Sequence, residues 1–182
     1  MTETPDGSLP EEEPVTDGTP LGRYAPDPLG APLHRVHLLS LPLPLLLSGR
    51  EHHDGVMREF RLLALSKEFA RSDAPTRLVQ LVSILGHQYA ATRERRDEEI
   101  DAALRRGEES IDQTFSAPAT AAVAVRALME LLDEADEYCE QARLLSLPRP
   151  LLLREFSNWY LGQVVGQIEG GQPRPWDGPL RL

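Results

Sequence analysis

Residues 38–47 read LLSLPLPLLL, and residues 144–153 read LLSLPRPLLL. One position in the ten differs, Leu43 against Arg149. The prolines at 42 and 44 rule out a helix interior but suit a first helical turn, where a missing N–H is no loss. Each copy therefore reads as an apolar lead-in to a helix, and Arg-Glu-Phe follows both, at 58–60 and 154–156. Beyond that tripeptide the following stretches do not match, so the repeat marks two similar helix starts and not a duplicated domain. The one substitution predicts a buried first start and a second that faces solvent.

Working outward, residues 35–41 (RVHLLSL) read as a short strand or an extended lead-in. Residues 110–116 (SIDQTFS) alternate Ile111 and Phe115 with polar residues, so the two stretches can pair as a small ribbon. After the first copy, Leu46, Gly49, His53, Val56, Phe60 and Leu63 fall on one helical face, with Ser40 or Ser48 suited to cap it. Gly49 and Gly55 weaken that helix. Ser72-Asp73-Ala74-Pro75 is a stop and a restart. The next face runs Leu78, Leu81, Leu85, Tyr89, Arg96, Ile100 and Leu104 and ends at Gly107. Its second half carries opposite charges four apart, such as Arg95 and Glu99. A third helix opens after Pro118 with Ala121, Leu128 and Leu132 on one face. A fourth spans about 151–168 and stops at Gly170-Gly171. Four amphipathic helices bury their stripes against one another, so the expected fold is mainly α. It is an antiparallel four-helix bundle-like domain over 33–182, with the small two-stranded ribbon.

Residues 1–32 differ in texture. Seven prolines, an acidic triplet at 11–13 and few apolar side chains predict a disordered acidic tail. The net charge of -10 argues against nucleic acid and anionic membrane as partners. Cys139 is the single cysteine, which excludes an internal disulfide and a cysteine-based zinc site. No basic-then-apolar leader and no apolar run of spanning length stand in the sequence, so a cytoplasmic protein is expected.

The candidate chemistry is sparse. In Glu51-His52-His53-Asp54 the two histidines project about 100° apart on a helix, which suits one metal ion poorly. Ser48 near His52 lacks a nucleophile elbow. Gly162 and Gly166 have the spacing of a close helix contact, with neither the lysine nor the strand of a phosphate loop. No catalytic residue, no metal and no cofactor are expected. The richest block is Phe156, Trp159, Tyr160, Gln163, Gln167 and Trp176, where aromatics and amides cluster as they do at protein–protein interfaces. Phe156, Trp159 and Tyr160 fit a bundle core better than an interface, while Trp176 docks on its own domain or on a partner.

Several stretches stand in a recognisable order: VHLLSLP at 36–42, EHHD at 51–54, MREF at 57–60, LLDEADEYC at 131–139, and WYLG at 159–162 followed by Gln167 and PRPW at 173–176. This set resembles small actinobacterial regulatory proteins associated with anti-sigma ATPase domains, STAS-type antagonists and their phosphatases. The resemblance covers 33–176 and carries no catalytic residues. Anti-sigma kinases use a nucleotide-binding fold with an Asn-bearing helix and a Gly-rich lid; this chain has neither. What the resemblance implies is therefore binding and not phosphorylation.

The expected function is a non-enzymatic cytosolic adaptor that binds a signalling protein (an anti-sigma kinase, a STAS protein or a phosphatase) in a sigma-factor partner switch. The alternative is a sensor for a nucleotide, metabolite or metal, with a pocket of His53, His87, Tyr89 and Trp159. An enzyme built on His52 and His53 is the third reading. An exposed Leu or Tyr at the end of the long helix favours a homodimer.

Overall fold

Pro42 and Pro44 divide the first decapeptide between two elements. In the computed structural model, which describes residues 32–64, 79–80, 82–83 and 90–182, strand β1 spans Leu33–Pro42 and helix α1 spans Leu43–Ala64. The residue before a proline is held extended, which carries the strand through Leu41, and Pro44 sits in the first helical turn. Ser40 is thus a strand residue and not a cap. Strand β2, Ser110–Pro118, pairs antiparallel with β1 from Leu33↔Pro118 to Pro42↔Ser110, as the alternating pattern predicts. The ladder continues one step into α1, where Leu43 N donates to Glu109 O at 2.9 Å.

The register shifts between Leu38 and Leu41, and Ser40 there has φ of 54°. Strict alternation would bury Val36 and Leu38 and turn Leu41 outward. The bulge adds one residue and flips the phase, so Leu38 and Leu41 both reach the core. Asp112 holds the bulge by accepting from Ser40 N at 2.7 Å. A left-handed conformation costs a non-glycine residue about 1–2 kcal/mol, part of which glycine returns as unfolded-state entropy. Ser40→Gly is expected to raise stability by about 0.5 kcal/mol and Ser40→Val to lower it by about 1–2 kcal/mol, read as urea midpoints.

Helix α2, Ala90–Arg105, ends where predicted: Gly107 takes φ of 75°, and Glu108 N donates to Ala103 O at 3.1 Å. Its inner stripe is Ile100 and Ala103, while Leu104, expected on that face, is exposed. Helix α3 is Thr120–Glu140 and helix α4 is Leu151–Ile168. Among the described residues the fold is mostly helical, with four helices and one small antiparallel sheet. Residues 1–31 of the acidic tail, the Ser72–Pro75 break, and His87 and Tyr89 lie outside the described residues.

One core cluster joins Leu38 and Leu41 of β1 to Ile100 of α2 and to Leu153, Phe156 and Val164 of α4. A second joins Val56, Met57 and Phe60 of α1 to Leu131, Ala135 and Cys139 of α3. The outer edge of β1 is closed by side chain and tail. The Gln167 amide accepts from His37 N and donates to His37 O, both at 2.8 Å, as a neighbouring strand would. Trp176 N donates to Leu39 O at 3.0 Å. These contacts satisfy backbone groups that an open edge would leave free.

The second decapeptide copy takes a different shape. Residues 144–150 are irregular, and the helix begins only at Leu151. Leu145, Leu147 and Leu151 are 95%, 79% and 72% exposed, whereas Leu144 and Leu153 are buried, so this start faces solvent only in part. The substituted residue does not: Arg149 is 6% exposed, because an α3 carboxylate waits for it inside.

Candidate functional site

The loop between α3 and α4 is built by carboxylates from two helices. Leaving α3, Ala142 turns left-handed at φ 53°, and Arg143 N caps Tyr138 O at 3.0 Å. Asp136 then accepts from Arg149 twice: from the backbone N at 2.8 Å and from Nε at 2.9 Å. Arg149 Nη2 reaches Asp133 at 2.8 Å. Arg154 Nε lies 3.2 Å from the same Asp136 carboxylate, close enough to pair but out of line for a hydrogen bond. From α1, Glu59 accepts from Leu145 N and from Ser146 Oγ, each at 2.6 Å. Burial pushes the Glu59 pKa up, but the bonds from Ser146 and Leu145 outweigh it and leave the group below its ordinary value. Leu145 N, Ser146 Oγ and Arg149 are tied inward, and Leu145 and Leu147 of the loop are left on the outside with Leu151, the first residue of α4.

Behind the loop lies a half-open cleft of about 550 Å³ between α1, α3 and α4, with Arg96 of α2 on its wall. Leu46, Leu128, Leu132, Leu153 and Phe156 make it largely apolar. Arg149 and Asp136 form one side, and Arg50 pairs with Asp97 at 2.5 Å on another. His52 and His53 both line it. Burial lowers the His52 pKa; Asp136 pulls it back up by less, and Arg149 adds to the depression. The cleft thus favours the neutral imidazole of His52.

That shift makes a stability prediction. The unfolded chain takes up a proton near 6.5 while the folded chain resists it, so stability is lost as pH falls through 6.5. The urea midpoint is expected to drop between pH 7.5 and 5.5, and His52→Asn to flatten that drop; equal slopes in both proteins refute the assignment.

Arg96 is held differently from the other cleft arginines. Its Nε donates to Gln113 Oε1 at 2.8 Å, its Nη2 donates to the Tyr160 hydroxyl, and the guanidinium lies 4.3 Å from the Phe115 ring centroid. Gln113 is 1% exposed and is locked by donating from Nε2 to Arg96 O at 3.2 Å and to Glu99 at 3.4 Å.

The six residues expected to contact a partner do come together. Phe156 stands 6.0 Å from the Trp159 and Tyr160 rings and 5.7 Å from Trp176, and the two tryptophans are 5.5 Å apart. Their polar atoms bond within the chain. Trp159 Nε1 donates to Arg174 O, Gln163 Oε1 accepts from Arg174 N and Gln167 Nε2, and Trp176 Nε1 donates to Pro179 O. Phe156 and Gln167 are buried and the other four half-buried, so the set fastens the C-terminal stretch to α4. Of the expected sensor pocket, His53 lines the cleft, whereas Trp159 turns to the tail.

Sequence reasoning passed over the leucine loop, the Arg96–Gln113 pair and the Asp136–Arg149 pair. A signal existed for the last. Asp136 stands four residues after Leu132 on an apolar stripe, and Arg149 is the one change between the decapeptides. Cys139 is buried, and its surroundings raise the thiol pKa to about 11, first by desolvation and then through Asp136, so it is inert at neutral pH. Among the described residues no three metal-ligating side chains gather, and no helix is long and apolar enough to cross a membrane. No family model matches the chain, and comparisons with curated proteins and with solved structures return no match.

Proposed function

We propose that the protein is a non-enzymatic cytoplasmic regulator that works by binding another signalling protein, and that the leucine-bearing loop is the docking point. The observation that carries this is the combination of rigid anchoring and apolar exposure at one loop. Leu145 and Leu147 project into solvent from a loop whose backbone is held by Glu59 at Leu145 and by Asp136 at Arg149, and Leu151 projects beside them from the start of α4. Apolar side chains on a preorganised loop lose little entropy on binding, which is what a docking surface needs. The four helices act in this reading as an antiparallel bundle on the ribbon, with the ten-residue α3–α4 connection at one end. The resemblance of the sequence to partner-switching regulators supports an anti-sigma kinase, a STAS protein or a phosphatase as the partner.

The test is titration of the chain against those three proteins from the same organism. Binding to one of them, weakened tenfold or more by Leu145→Asp with Leu147→Asp at unchanged melting temperature, is the expected result. Binding to none rejects the switch, and binding indifferent to the double change rejects the loop. The cleft supports a second reading, a small-ligand sensor, since its volume lies in the usual range for such sites. A melting-temperature screen against nucleotides, metabolites and metals addresses it.

A further inference from the structure

The three arginines of the cleft differ in how their charge is met. Arg50 faces Asp97, and Arg149 faces Asp136 and Asp133. Arg96 has a neutral amide, a phenol and two ring faces, and among the described residues it enters no ion pair. A guanidinium has five N–H donors, and two of them are engaged here, which leaves three. Gln113 fixes the position of that group without neutralising it, since its own amide is buried and locked. A half-buried, positioned cation with no direct ion pair among the described residues, on the wall of a largely apolar cleft, is complementary to an anion with an apolar body.

We infer that the cleft binds a small organic carboxylate, with Arg96 holding the carboxylate and Leu128, Leu132 and Leu153 covering an apolar body. A planar carboxylate matches the guanidinium fork. A phosphate monoester carries about -1.5 to -2 charges at neutral pH, more than one cation neutralises. Asp54, Asp97 and Asp136 line the same cleft and repel the excess. A monoanion matches the single cation and meets roughly half the repulsion of a dianion. This site shares the Asp136–Arg149 wall with the loop but does not depend on the docking role of the loop, and its test needs no protein partner.

The test is calorimetric titration of the full chain with octanoate, octanamide and inorganic phosphate. Octanoate is expected to bind one per chain, with octanamide and phosphate at least tenfold weaker. Arg96→Met is expected to lower octanoate affinity tenfold or more, and Arg96→Lys to restore part of it. Leu132→Trp fills the cleft and is expected to lower the affinity by the same order. Should Arg96→Met not fold by circular dichroism, the octanoate–octanamide ratio and Leu132→Trp decide the matter. Absence of octanoate binding, octanamide or phosphate binding as tightly as octanoate, or indifference to Leu132→Trp overturns the inference.

Discussion

Asp136→Ala is expected to lower the unfolding free energy by about 3–5 kcal/mol, enough to unfold a marginally stable domain at ambient temperature. The magnitude follows from what stays behind. Arg149 is nearly solvent-free, and its backbone N and Nε would both lose their acceptor, with Asp133 the remaining anion in reach. Arg154 Nε would lose its counter-ion too. Removing both sides is a different experiment. Asp136→Leu with Arg149→Met replaces the pair by apolar groups of similar size, and its cost is expected to fall below that of Asp136→Ala, because the buried Arg149 guanidinium is no longer stranded, although position 149 still loses the acceptor of its backbone N and Arg154 its carboxylate. A double-mutant cycle from urea unfolding measures the coupling. Additive costs in that cycle would sink the account of the pair as one unit.

Phe156→Ala is expected to cost about 3–5 kcal/mol, the range for deleting a buried aromatic ring. Phe156 belongs to the first core cluster and touches Trp159, Tyr160 and Trp176. Its loss therefore removes core volume and the floor on which the tail tryptophan stands. Two readouts should move together: the urea midpoint and the tryptophan emission, which shifts red as Trp176 gains water. Trp176→Ala, which lies at the rim of the same cluster, should cost less. If Phe156→Ala left the midpoint unchanged while abolishing partner binding, the ring would be an interface anchor and not a core residue.

Much of the fold was legible because its punctuation is local. Pro150 before α4 and Gly170-Gly171 after it place both helix ends, and Gly107 places the end of α2. The ribbon was legible from the alternation of Ile111 and Phe115. What stayed hidden depends on partners far along the chain. The bulge at Ser40 depends on Asp112, 72 residues away. Arg149 reads as exposed among leucines until Asp136 is placed beside it. The aromatic-amide block was legible as a cluster, but only the tail folding back from Pro173 onward shows that its donors and acceptors meet one another. Arg96 was read as one more position on a helical face, since nothing local says that a buried glutamine on β2 will hold it.

The double bond between Gln167 and His37 also bears on how the molecule is made. β1 precedes the elements it pairs with: its ladder partner Thr114 follows 77 residues after His37, and Gln167 follows 130 residues after it. At about 5–20 residues per second, a ribosome leaves that strand without its outer neighbour for roughly ten seconds. During that interval Leu38 and Leu41 have no α4 to pack against, and a nascent chain halted short of Gln167 keeps one strand edge open to any other extended segment.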